Sequence, residues 1–296
     1  MKIQFLNGGL ANQTFQYIFA RYYELSHPGE VMYLDDSYFA IHTVHNGYEL
    51  EKVFGLHPHM LSECFDEAVW QHILAEKQKG KSVPQIFIEN QIMIQMISEV
   101  GEGSQQFNPF NGRRYNIPVH EYLPQILDAA GNIYYHGYWL NKSWFEAYKE
   151  IFLEELQFPE VTDEKNIQYM EEITEDLSLS VHIRRGDYVS LNWALSTEFY
   201  RVCIENFKKM YGRDWHLFVF SDDIPWCKEH AEELRFASFR KITFVEGNIR
   251  GGNYQDLQLM SRCKGMILSN SAFCYLAALL NTEKKVFLNL TERWLL

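Results

Sequence analysis

Along the second half of the chain, short apolar runs alternate with amphipathic stretches at a steady interval. Residues 179–183, 216–221, 241–245, 266–269 and 285–288 read as strands. Helices are expected over 197–210 with Thr197 as N-cap, 225–234 with Pro225 in the first turn, 253–263, and 272–280. Strands alternating with helices at this spacing imply βαβ units and a parallel sheet. Such sheets bind ligands outside the carboxyl ends of their strands. The residues to inspect are therefore 184–188, 221–223, 246–248 and 269–271.

The first half opens the same way. A strand over 2–6 runs into an Asn7-Gly8-Gly9 turn, a helix over 11–25 and a second strand over 30–35. The middle, 37–132, reads as irregular and partly helical (62–78). A strand over 133–139 and a helix over 141–156 close this half, and the boundary falls in 157–163. The expected architecture is α/β: two Rossmann-like, doubly wound domains, 1–158 and 159–296, facing a central cleft.

Composition narrows the function. With 296 residues, 47% of them hydrophobic, the chain can bury large cores. Its net charge of −12, from 27 basic and 39 acidic residues, argues against nucleic acid as a partner. A small anionic ligand needs only a few basic residues gathered locally. The five cysteines, odd in number and without a CxxC pair, read as reduced, buried thiols. No signal-peptide pattern precedes the first strand, and the longest apolar run, 272–280, is too short for a membrane span. A cytoplasmic location is expected. The sequons at Asn12, Asn141 and Asn289 then read as chance matches.

Four motifs stand at strand ends. In His182-Ile183-Arg184-Arg185-Gly186-Asp187-Tyr188, alternation places His182 and Arg184 on one face. Arg184 would offer phosphate its planar fork. Arg185, pointing away, would pair with Asp187 across Gly186. Asn7 to Tyr17 is a glycine turn into a helix start, able to hold an anion or only to turn the chain. Asp256 falls in a first helical turn, where the helix dipole alone favours an acid. Ser269-Asn270-Ser271 presents hydroxyls and helix-start N–H groups to a phosphate, or simply caps the helix. Ser221-Asp222-Asp223 lacks DxD spacing and reads as a helix start rather than a metal site. No HExxH occurs among the eleven histidines. Tyr134 to Trp139 is aromatic, more in keeping with core packing than with sugar stacking.

Together these motifs resemble the α-1,2-fucosyltransferases of glycosyltransferase family 11, in particular their soluble bacterial members. The family's opening GGLGNQMFQY is similar to Gly8-Gly9-Leu10-Ala11-Asn12-Gln13-Thr14-Phe15-Gln16-Tyr17, and its HxRRxDY to His182 through Tyr188. Phe220 to Ile224 and Asp256 to Phe273 match later motifs. The resemblance implies a GT-B-like fold and an inverting transfer from GDP-β-L-fucose to the 2-hydroxyl of a terminal galactose. It implies no metal or other cofactor. It also implies roles: Arg184 on the diphosphate with Arg185, Asp187, Ser221 and Asp222 around it; His182 and Asp256 on the guanosine; Asn270, Ser271, Ala272 and Phe273 near phosphate. Asn12 would face the reacting groups, and Gly9, Gln13 and Tyr138 the acceptor. Asp35, or Asp36 beside it, is the candidate general base. The chain departs from the family pattern at Ala11, Thr14, Gly265, Ala272 and Cys274-Tyr275-Leu276. A fucosyltransferase with a protein or oligosaccharide acceptor, and a non-catalytic glycan- or nucleotide-binding relative, are the alternatives.

Overall fold

The computed structural model describes residues 1–42, 45–100, 108–110, 114–212, 214–249, 251–283 and 286–288. They form two compact units, Met1–Gln157 and Phe158–Leu296.

The first unit holds six strands: β1 (Lys2–Phe5), β2 (Met32–Asp35), β3 (Gln95–Val100), β4 (Asn108–Phe110), β5 (Arg114–Pro118) and β6 (Ile133–His136). They make one sheet in the order β2-β1-β6-β3-β5-β4, parallel except for β4 against β5. The irregular middle expected from sequence therefore needs correction, because it supplies three strands. The 141–156 helix is also two helices, Lys142–Glu146 and Lys149–Glu155. Helix Leu10–Ser26 buries Phe15 and Phe19, and Phe19 stacks on Trp139 with centroids 4.1 Å apart. Trp144 closes edge-on against the same Phe19 ring at 5.1 Å.

The second unit holds β7 (Ser178–Ile183), β8 (His216–Ser221), β9 (Lys241–Phe244), β10 (Gly265–Ile267) and β11 (Val286–Leu288). All pair in parallel, in the order β11-β10-β7-β8-β9. Every residue of β7 is buried, as expected of a central parallel strand covered on both faces. Leu179, Val181 and Ile183 pack there with Leu217, Val219 and Ile204. Strand order reverses between β7 and β10, so the crevice for a ligand lies at the carboxyl ends of those two strands. Lys285 and the Asn289 sequon lie outside the described residues. Cys203, Cys227, Cys263 and Cys274 are buried, but Cys64 is half-exposed, against the expectation of five buried thiols. Among the described residues, no helix is long and apolar enough to cross a membrane.

Candidate active site

At the switch point, His182 near the end of β7 lies 2.8 Å through Nδ1 from the Ser269 hydroxyl, just past β10. Burial, and then the neighbouring Arg184 charge, push the imidazole pKa down to about 3. His182 is thus neutral, with a ring nitrogen fixed by Ser269. The Phe273 ring lies 5.8 Å away.

One residue past the strand, Arg184 holds Asp187 through Nη2 at 2.7 Å and Asp222 through Nη1 at 2.8 Å. Its guanidinium stands 5.4 Å from the centre of the Tyr188 ring. The expected Arg185–Asp187 pair is not formed. Helix Gly186–Ser190 begins immediately after Arg185 and turns Asp187 back toward Arg184. Arg185 instead lies 3.7 Å over the Trp226 ring and reaches Asp223 at 3.3 Å. Alternation stopped applying once the strand ended at Ile183.

The second acidic pair is anchored by the same elements. Asp222 accepts the Arg185 backbone N–H at 2.8 Å. Its Oδ2 lies 2.5 Å from where a Cβ on Gly186 would stand, so a side chain there would have to push that carboxylate off Arg184. Ser221 accepts the Asp223 N–H at 3.0 Å, and Asp223 caps helix Ile224–Glu229 by accepting from Trp226 at 3.2 Å. Three carboxylates thus face two guanidiniums. Among the described residues, no His, Cys, Asp and Glu side chains group to hold a metal ion.

Past β10, Ser271 caps helix Ala272–Leu280 by accepting the Phe273 N–H at 3.3 Å. Asn270 donates to the Trp193 carbonyl at 2.9 Å, while its Oδ1 is enclosed with no hydrogen-bond partner. Ala272 and Phe273 are half-buried, outside the core. Asp256 accepts from Asn248 at 2.7 Å, and burial raises its pKa to about 7. Sequence reasoning placed Asn248 at a strand end without giving it a partner, and it missed Trp226 and Trp193. Each is an ordinary residue on a helix or loop, brought in by packing alone.

The first unit has its own strand-end cluster. Gly8 adopts φ +78°, and a Cβ there would fall 2.5 Å from Asn12 Nδ2, so Asn12 packs directly on the glycine turn. Gly9 is the N-cap of helix Leu10–Ser26 and supplies no side-chain cap. Glu49 takes the Leu10 N–H instead, at 3.2 Å. Gln13, expected to face the acceptor, is fully buried. Its amide donates to the Gly8 and Gly47 carbonyls and accepts the Glu49 N–H, each at 2.9 Å. It is a brace, because a buried amide must spend its polar atoms internally. Asp35 requires the same correction. Its carboxylate is wholly buried, accepting the Tyr134 hydroxyl at 2.6 Å, the Ser37 hydroxyl and the Ser37 N–H. Asp36 is half-buried, and burial together with the Asp35 charge raises its pKa to about 6. Tyr138 is half-buried beside Asn7.

Against known proteins, the model of glycosyl transferase family 11 matches residues 4–293. An alpha-1,2-colitosyltransferase of Escherichia coli is 29% identical over 279 residues, covering 92% of this chain and 85% of its own. A galactoside 2-alpha-L-fucosyltransferase, Sec1 of Mus musculus, is 26% identical over 121 residues, covering 38% of this chain and 32% of its own. The crystal structure of NodZ alpha-1,6-fucosyltransferase soaked with GDP-fucose shares the fold at a TM-score of 0.51, with 13% identity over 94% of this chain and 92% of that one. The fold is accordingly α/β and GT-B-like.

Proposed function

The chain belongs to glycosyl transferase family 11 and is a glycosyltransferase of fucosyltransferase type, and we propose that it moves L-fucose from GDP-β-L-fucose to the 2-hydroxyl of a terminal galactose with inversion. The observation that carries this reading is the Arg184 guanidinium at the carboxyl end of β7, beside the neutral His182–Ser269 pair at the switch point.

Fucosyl transfer has an oxocarbenium-like transition state, and negative charge builds on the departing β-phosphate. Fixed donors aimed at that charge lower the barrier. Arg184 is such a donor, and the start of helix Ala272–Leu280 adds N–H groups with the positive end of the helix dipole. The diphosphate replaces Asp187 and Asp222 as the partner of Arg184. Arg185, on Trp226, adds a second positive charge, so the site stabilises the leaving group with its own cations. Asp256 takes the guanine N–H groups, for which it must be ionised. In the first unit, Asn12 and Tyr138 contact the acceptor. Asp36 accepts the proton of the attacking hydroxyl. Its pKa near 6 keeps it ionised at pH 7 and basic enough for the task.

A second reading follows from the name of the E. coli relative: the donor sugar is colitose, which is fucose lacking its 3-hydroxyl. The deciding experiment supplies GDP-fucose or GDP-colitose with and without lactose and measures released GDP and linkage. Lactose-dependent release from GDP-fucose with a 2-linked product is expected. Preference for GDP-colitose would establish the second reading. Release that ignores the acceptor, or no release, would overturn both.

A further inference from the structure

The strongest unexplained feature of the first unit is a carboxylate that the mechanism above does not use. Glu99, near the end of β3, accepts three backbone N–H groups: Tyr138 at 2.6 Å and Trp139 at 2.9 Å through Oε2, and His120 at 3.4 Å through Oε1. Two of these three donors belong to residues in left-handed backbone, Trp139 at φ +57° and His120 at φ +69°. Bulky side chains avoid that region, so surrounding structure has to enforce it. Glu99 also sits where a Cβ on Gly137 would stand 2.6 Å from its Oε2, so the close approach depends on glycine at 137.

The turn that Glu99 grips is tied on its other side to the opening motif. The Gly137 carbonyl accepts from Gln4 at 3.2 Å and from Gln16 at 3.1 Å. Gln16 in turn donates to the Asn7 side chain at 2.7 Å and accepts the Asn7 N–H at 3.1 Å. Trp139 is locked by its indole N–H on Gln4 Oε1 at 2.7 Å and by its stack on Phe19. Tyr138 is therefore flanked by two immobilised residues, with its side chain beside Asn7 at the head of the glycine turn. A neutral amide at 99 would turn an NH₂ group toward a backbone N–H, whichever way it flipped.

We propose that Glu99 is a positioning residue for the acceptor: it clamps the Gly137–Trp139 turn and so aims Tyr138, beside the Asn7-Gly8-Gly9 turn, at the incoming galactoside. This rests on the assignment of Tyr138 to the acceptor made above. The test uses the full chain as wild type, Glu99→Gln, Gly137→Ala, Tyr138→Ala and the Glu99→Gln/Tyr138→Ala double variant. Lactose kinetics, GDP affinity by calorimetry and melting temperature are measured for each. Displacement of a substrate-positioning group costs on the order of 10²-fold in kcat/KM for the acceptor. That loss is expected in both Glu99→Gln and Gly137→Ala, with GDP affinity unchanged. The double variant should be no worse than Tyr138→Ala alone, since the two residues act as one unit. Acceptor kinetics like wild type in the folded variants, or losses that simply add in the double variant, would overturn the role of Glu99 and leave the proposed function standing. Failure of the wild-type chain itself to transfer sugar to lactose would overturn that function, and the role of Glu99 with it.

Discussion

Arg184 and Asp222 meet at 2.8 Å, and Asp222 is itself held by the Arg185 backbone N–H at the same distance. With Asp187 on the other terminal nitrogen, both ends of the guanidinium fork are occupied by the protein's own carboxylates. A diphosphate has to replace them, and two of its oxygens can meet the same two terminal nitrogens of the fork.

Arg184→Lys is consequently not a conservative change. Lysine keeps the charge but cannot hold two oxygens in one plane. Turnover should fall about 10²–10³-fold, the usual cost of losing one donor aimed at transition-state charge. Stability should hardly move, because half-exposed ion pairs contribute roughly 0–1 kcal/mol. Turnover within a few-fold of wild type, measured as GDP release, would transfer the role to Arg185.

Transfer should also proceed without a divalent metal. Asp222 and Asp223 lack DxD spacing, Asp223 is spent on Arg185 and the cap of helix Ile224–Glu229, and Arg184 and Arg185 already supply positive charge beside the diphosphate. Activity in excess EDTA should match that in its absence. A loss restored by magnesium or manganese would show that the acids serve a metal when the donor is bound.

Much of the second unit was legible because its strands either are apolar runs, as in Leu217–Phe220, or alternate polar and apolar, as in Ser178–Ile183, and each falls between amphipathic helices at a regular interval. His216–Ser221 and Ala272–Leu280 fall where the residue pattern put them. The first unit was harder to read. β3 carries Ser98 and Glu99 amid its apolar residues, so neither alternation nor an apolar run marks it. The long helix over 141–156 breaks at Tyr148, with no Gly or Pro to signal it. There the Tyr148 ring packs on Tyr22 at 5.6 Å, a tertiary contact that local propensity does not encode. The site residues were legible as motifs, but their pairing was not. Which arginine met which acid depended on a helix starting at Gly186, three residues beyond the end of the strand and so out of reach of its alternation.

His182 makes the fold sensitive to acid. Its folded pKa of about 3 lies below the ~6.5 of an unfolded histidine. Between those values the unfolded chain binds a proton that the folded chain refuses. Stability from this group is therefore full above about pH 6.5 and drains away as pH falls toward 3. The loss is on the order of 3–5 kcal/mol across that window. Urea titrations of wild type and His182→Gln at a series of pH values should show a flatter profile for the variant. Parallel profiles would mean that His182 takes up its proton in the folded state.

Asp35 and Asp36 should separate cleanly. Asp35→Asn leaves the buried Tyr134 and Ser37 donors poorly served, so its first effect should be a lower melting temperature. Asp36→Asn should keep the fold and lose about 10²–10⁴-fold in transfer, the usual worth of a general base. Because the base must be ionised, wild-type kcat/KM for the acceptor, measured with GDP-fucose saturating so that Asp256 is already engaged, should rise with pH through about 6, the pKa of Asp36, and that limb should vanish in Asp36→Asn. An unchanged limb in the variant would exclude Asp36 as the base.

Ala272→Thr tests the phosphate side of the site by adding a group. Ala272 opens helix Ala272–Leu280 directly after the Ser271 cap and is half-buried, unlike the fully enclosed Cys274 and Leu276 further along. There is room at a helix start for a β-branched residue, whose χ1 is restricted mainly by a preceding turn that does not yet exist there. If the N–H groups of this turn receive the β-phosphate, a threonine hydroxyl adds one charge-assisted hydrogen bond, worth roughly 1.5–3 kcal/mol at best, or about 10–10²-fold in affinity. GDP binding by calorimetry should tighten, and the melting temperature without ligand should stay unchanged. Weaker GDP binding together with a lower melting temperature would place the residue 272 side chain against the core, and the phosphates would then have to be held by Arg184 and Arg185 without the helix start.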